Sequence, residues 1–300
     1  MDRRRARLKQ LILAGVAVGL SACAVAPPEP SPTPPDFSAL NWLRLDADPV
    51  GHMTRQPSTC LSAPKAAPIQ RGALLFESPM LLGGQAAKAG LSCAACHRNG
   101  RGNPDFLFQG ISGAPGTADV THGLFSKVRA DQVFNPVAIP DLATVDGQSR
   151  VDRDSPGTLE AFLNAQIVEE FSGTQPDPVV IEDLAAYLRA LDIAVCNPSA
   201  TEPQSWRQEV ARIKAGLSTR GAASQSYINA MRAAVGRIYE RLSDTRHSEL
   251  RRRLIRFSRA LEAGNSMDEL RLTLSDIEQD LAAAESTSFY NPDVLATVWP

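Results

Sequence analysis

Cys93-Ala94-Ala95-Cys96-His97 is the stretch around which the chain is organised. C-x-x-C-H is the attachment pattern of a c-type haem, because two thiols one turn apart can each form a thioether to a porphyrin vinyl group. The next residue, His97, then lies under the iron and supplies its proximal nitrogen. A C-x-x-C alone also serves as a redox dithiol or as half of a zinc site. The adjoining histidine, the lack of a second C-x-x-C and an exported context point to haem c. One covalent haem per chain is expected, held by Cys93, Cys96 and His97.

The exported context is read from the N-terminus. Residues 1–22 have the form of a signal peptide: a basic start at Arg3-Arg4-Arg5, then an apolar run from Leu11 to Leu20 too short to span a bilayer. Leu20-Ser21-Ala22-Cys23 resembles the bacterial lipobox, whose cysteine is lipidated and becomes the first mature residue; Ala22-Cys23-Ala24 also fits an ordinary small-residue cleavage site. The expected location is the periplasmic side of a bacterial membrane, with a lipid anchor at Cys23. Haem c is attached outside the cytoplasm, so the two signals agree.

Of five cysteines, Cys60 and Cys196 remain after lipid and haem are assigned. In an oxidising compartment they are expected to form a disulfide, worth roughly 4–5 kcal/mol for so long a loop; two buried free thiols are the alternative. A formal net charge of -2 over 300 residues gives no reason to expect nucleic acid or electrostatic membrane binding. The apolar fraction of 43% is enough to build a core.

The expected fold class is mainly α, a cytochrome c domain followed by a C-terminal antiparallel helical bundle. Residues 23–38 read as a Pro-rich tether, an extended spacer. In residues 39–200, Trp42 and Leu45 are expected to pack as an extended arm. Pro68 to Glu77 predicts a short helix with Ile69, Gly72, Leu75 and Phe76 on one face. A Gly83-Gly84 turn leads to the C-x-x-C-H site. Turn chemistry at Asn99-Gly100, Gly102-Asn103-Pro104 and Pro115-Gly116 predicts a haem-wrapping stretch. Ser155-Pro156 can open a helix carrying Leu159, Phe162, Leu163, Gln166, Ile167 and Phe171, ending at Gly173. Ile181 to Leu191 predicts another.

In residues 201–300 four stripes recur at helical spacing: Trp206 to Leu217, Tyr227 to Leu242, Leu250 to Leu261 and Leu270 to Leu281. Ser266-Met267-Asp268-Glu269 is a capping box before the fourth. Arg251-Arg252-Arg253, Arg256 and Arg259 make the third basic, either a solvated face or a docking face for an acidic partner.

From about Gln70 to Asp192 the chain resembles the cytochrome c domain of bacterial di-haem cytochrome c peroxidases and methylamine-utilisation haem enzymes. The resemblance rests on Arg71-Gly72-Ala73-Leu74-Leu75-Phe76, Leu82-Gly83-Gly84, the C-x-x-C-H run, Ile139-Pro140-Asp141-Leu142 and Thr158-Leu159-Glu160, in that order. It implies that Gly72 lets the first and last helices cross closely, with an aromatic of the last helix against the first. This chain departs in having one C-x-x-C-H where the family has two. The family's second axial methionine falls at or near Gln166, and no methionine lies between His97 and Met231. Candidates for the sixth ligand are His122, Met80, and His52 or Met53 of the arm, or an open position beside Gln166. Arg98, Arg101 and Arg129 are candidates to neutralise a haem propionate. The leading expectation is one-electron transfer with a redox partner protein. The alternatives are a peroxidase-like enzyme with an open iron position, or a haem-stapled interaction protein acting through its bundle.

Overall fold

Apolar residues at 3–4 spacing build the longer helices here, and several of them open on a proline or a serine. The computed structural model describes residues 35–143, 151–152, 158–219, 224–243 and 245–299, and it is mainly helical. The expected signal peptide, Cys23, most of the tether and the Ser155-Pro156 helix start lie outside the described residues. Among the described residues, no helix is long and apolar enough to cross a membrane.

Helix α1 (Pro49–Thr54) closes the N-terminal arm, and α2 (Ala67–Phe76) follows with Pro68 in its first turn. Two short helices, α3 (Gly84–Lys88) and α4 (Cys93–Cys96), lead into a long irregular stretch. Helix α5 (Leu159–Ala165) runs into a π-helical turn, Gln166–Glu170, and α6 (Pro178–Ala190) again starts on a proline. Then come α7 (Trp206–Leu217), α8 (Gln225–Glu240), α9 (Ser248–Glu262), α10 (Met267–Ala284) and a short α11 (Pro292–Ala296).

Helices α2 and α6 cross at Gly72. A Cβ there would sit 2.1 Å from Asp183 O and 2.5 Å from Tyr187 Cβ, so only glycine permits this approach. Phe76 packs on Tyr187 with ring centroids 5.2 Å apart. Beneath the crossing, buried Asp183 accepts from Arg71 Nε (2.6 Å) and Nη2 (2.8 Å) and from the Tyr227 hydroxyl, joining α2, α6 and α8.

The four stripes of the tail are buried as expected. Helices α7, α8, α9 and α10 pack each on the next, and α10 returns to α7. Ser266 Oγ accepts from Glu269 N (3.2 Å), but Glu269 does not reach back: its carboxylate takes Asn265 instead, so only half of the expected capping box forms. A full box forms at Ser205 and Gln208 before α7. The basic face of α9 is largely compensated internally. Arg252 and Arg256 pair with Glu249, Arg253 with Asp280, and Arg251 lies over Tyr239.

Three expectations change. Residues 39–200 and 201–300 do not have separate cores: α2 packs on α7 and α8 as well as on α6, and one hydrophobic cluster runs through all of them. The tether does not extend to residue 38. Phe37 is buried against Phe289 and Trp299, and Ser38 donates through N and Oγ to Glu240, because an aromatic with apolar partners gains by burial. Leu45 is fully exposed, while Trp42 of the same arm does pack, 4.4 Å from Phe108.

Cys60 and Cys196 are joined as expected, with Cα atoms 5.1 Å apart. The bridge ties the segment before α2 to the segment after α6. Strands β1 (Arg55–Pro57) and β4 (Thr201–Pro203) pair antiparallel beside it. The other two strands, β2 (Thr117–Ala118) and β3 (Val137–Ala138), also pair antiparallel, within the irregular stretch.

Candidate functional site

The site is built on α4, a single turn entered from the extended Ser92. His97 N donates to Cys93 O (2.8 Å), which closes the turn that carries both thiols. Asn103 Nδ2 donates to Ala95 O (2.8 Å) and fixes the end of the turn. Asn99 and Gly100 then take left-handed backbone conformations and reverse the chain, as their turn chemistry predicts.

The loop opposite is anchored at four points. Strand β3 pairs with β2, Ile139 N donates to Gly116 O (2.9 Å), and Leu142 N donates to Gly100 O (3.2 Å). Asp141 accepts from the buried Arg101 (2.6 Å). Between these anchors Pro140 O faces His97 Nδ1 at 3.0 Å. A carbonyl can only accept, so Nδ1 carries the proton and Nε2 keeps its lone pair. Burial pushes His97 down to about 4, against the opposing effect of the Pro140 bond, so the imidazole is neutral at pH 7.

Cys93 and Cys96 are free thiols, not a disulfide, and desolvation pushes each up to about 12. Cys93 packs against two hydrophobic clusters at once. Leu142 and Leu163 share the first, and Cys96, Phe125, Ile139 and Phe171 the second. The turn thus lies at the seam between the α2–α6 core and the irregular stretch. Large apolar side chains are left exposed in that stretch and on α5: Val128, Val133, Phe134, Val137 and Phe162. Gly83 lets the α3 turn approach the end of the π turn, since a Cβ there would sit 2.1 Å from Ser172 O.

The remaining candidates are distributed elsewhere. Met80 is 59% exposed on a 3-10 turn, and Met53 is enclosed with Phe37, Phe289 and Leu295. His122 is exposed, with Nδ1 accepting from Leu124 N (3.1 Å). Gln166 opens the π turn and is half-buried. Residues 94 and 95 point away from 93 and 96 on a helical turn. The cavity on that far side is also lined by His52 and Arg98. Arg101 is committed to Asp141, and Arg129 pairs with Glu169 and Glu170. Arg98 is committed to the arm, donating to His52 O and Arg55 O.

The Pro140 carbonyl is the functional group that a side-chain reading misses. The signal available was Arg101 with Asp141, which pins its loop. No family model, curated protein or solved structure matches this chain.

Proposed function

We propose that this chain is an exported, lipid-anchored monohaem c-type cytochrome that passes single electrons to or from a partner protein. In this reading the cytochrome c fold and the antiparallel helical bundle share one hydrophobic core. Haem c is attached through Cys93 and Cys96, and His97 is the proximal ligand.

The observation that carries the reading is the bond from His97 Nδ1 to Pro140 O beside two unoxidised thiols. It leaves Nε2 as a neutral, oriented donor, which is what a metal-bound histidine requires. In this reading the chain offers iron the His97 imidazole and the porphyrin supplies the other nitrogens. The exposed side chains Val128, Val133, Phe134, Val137 and Phe162 are apolar surface of the kind a porphyrin face covers. The close helix crossing at Gly72 and the Phe76–Tyr187 packing support the resemblance to the di-haem peroxidase cytochrome domain.

When bound, the haem supplies a one-electron ferric–ferrous couple. Cys93 and Cys96 would hold it by two thioethers, and Pro140 O would orient the His97 imidazole. A peroxidase-like reading is kept on where the described residues place three candidates for the sixth position. Met53 is buried in another cluster, Met80 faces solvent, and His122 is exposed. Absorption spectra of the oxidised and reduced holoprotein, with and without carbon monoxide, separate the two. A low-spin ferrous spectrum with slow or no carbon monoxide binding is expected of a carrier. A high-spin iron that binds carbon monoxide rapidly and turns over peroxide would replace the carrier by the enzyme.

A further inference from the structure

Behind the C-x-x-C-H turn lies a cavity of about 390 Å³, floored by Ala94 and Ala95. That volume is within the range of small-ligand sites. Its polar wall is unevenly satisfied. Glu77 and Glu209 are paired with Arg212 and Arg237, and Glu240, next to Arg241 in the sequence, accepts from Ser38 N and Oγ. Arg98 and Arg241 also line the cavity, yet neither has a carboxylate at ion-pair distance among the described residues. Arg98 donates only to backbone carbonyls of the arm. Arg241 is 5% exposed, donates to Gln204 Oε1 (2.5 Å) and Phe289 O (3.4 Å), and lies 5.3 Å over the Tyr290 ring. Burial pushes the Arg241 guanidinium down. A desolvated guanidinium is stabilised by an anion set against it.

Two polar atoms of residues that line the cavity, His52 Nδ1 and Asn99 Oδ1, are buried without a hydrogen-bond partner. Asn99 is 4% exposed, and its amide orientation is fixed because Nδ2 donates to Pro57 O (2.7 Å) and Glu202 Oε1 (3.3 Å). Its Oδ1 therefore awaits a donor that the protein does not supply. Gly236 adds an independent observation. It lies inside α8, where glycine is unfavourable, and a Cβ there would meet nothing within 4 Å. The glycine leaves the cavity open and serves no close packing.

We propose that this cavity binds a small organic carboxylate that also carries a hydroxyl or amino donor, its carboxylate set between Arg98 and Arg241 and its donor on Asn99 Oδ1. The proposal does not depend on haem. It is tested on the purified full chain by calorimetric titration with L-lactate, D-glycerate, L-malate, L-serine and L-glutamate, with propionate and inorganic phosphate as comparators. At least one hydroxy or amino acid should bind saturably, and about tenfold or more tighter than propionate or phosphate, because only it supplies the missing donor. Gly236→Leu fills the cavity and should abolish binding while the melting temperature stays the same or rises; Arg241→Gln should weaken it. The proposal is overturned if none of the five acids binds, if propionate or phosphate binds as tightly, or if binding survives in Gly236→Leu.

Discussion

Gly72→Ala and Gly236→Ala make the same chemical change in two helices and should have opposite effects. In a helix interior alanine is favoured over glycine by about 0.5–1 kcal/mol. At Gly236 a Cβ meets no atom within 4 Å, so the variant should keep that gain. At Gly72 the new Cβ would lie 2.1 Å from Asp183 O and 2.5 Å from Tyr187 Cβ. Restoring ordinary contact requires α2 and α6 to part by about 1 Å. Both helices are held in a close-packed core, which yields little. Overpacking of this kind costs about 1–3 kcal/mol. Parting the helices also loosens the Arg71–Asp183 pair and the Phe76–Tyr187 contact, so the net loss should be about 2–3 kcal/mol. For a chain of this size each kcal/mol moves Tm by about 2–4 °C. Gly72→Ala should therefore melt roughly 4–12 °C below the parent, and Gly236→Ala roughly 1–4 °C above it. Thermal melts followed by circular dichroism in one buffer compare the two directly. A Gly72→Ala variant at or above the parent's Tm would refute the close crossing of α2 and α6.

Replacing Cys60 and Cys196 together by alanine frees a loop with a sequence separation of 136, and the chain-entropy relation puts the loss near 5 kcal/mol; denaturant unfolding of the variant should show it, and an unchanged midpoint would contradict it. His52, held neutral by burial at about 3, binds no proton between that value and its unfolded value of 6.5. The unfolded chain does bind one, so stability should fall as pH drops through this window, by up to about 1.4 kcal/mol per pH unit. His52→Gln should reduce that slope in urea titrations from pH 7 to pH 4. Asp141→Ala strips the buried Arg101 of its carboxylate and frees the loop that carries Pro140; a loss of about 1–3 kcal/mol is expected, with the holoprotein's reduction potential also shifting as His97 loses its fixed hydrogen bond.

Periodicity made most of the helical architecture legible. Every residue of the four tail stripes is buried, because a 3.6-residue repeat of large apolar side chains has few other uses in a chain of this composition. The disulfide followed from assigning the other three cysteines. What escaped were relations between distant segments. Phe37 looked like tether because its partners, Phe289 and Trp299, lie at the other end of the chain. The boundary near residue 200 looked like a domain boundary because composition shifts there. Yet Leu74 of α2 faces Gly216 of α7, so the same apolar face serves both halves. The C-x-x-C-H turn was plain from its residues, whereas the group that orients His97 is a backbone carbonyl. The paired and unpaired arginines of the rear cavity depend on which carboxylates the fold brings near, which spacing does not encode.

The central claim is that Cys93 and Cys96 carry a covalent haem. The most direct measurement is the intact mass of the mature protein, made with the c-type maturation machinery and resolved under denaturing conditions. The account predicts one haem retained per chain, together with a lipid-modified Cys23, and its loss when Cys93→Ala and Cys96→Ala are combined. A folded wild-type chain with both thiols unmodified and no haem after denaturation would contradict it.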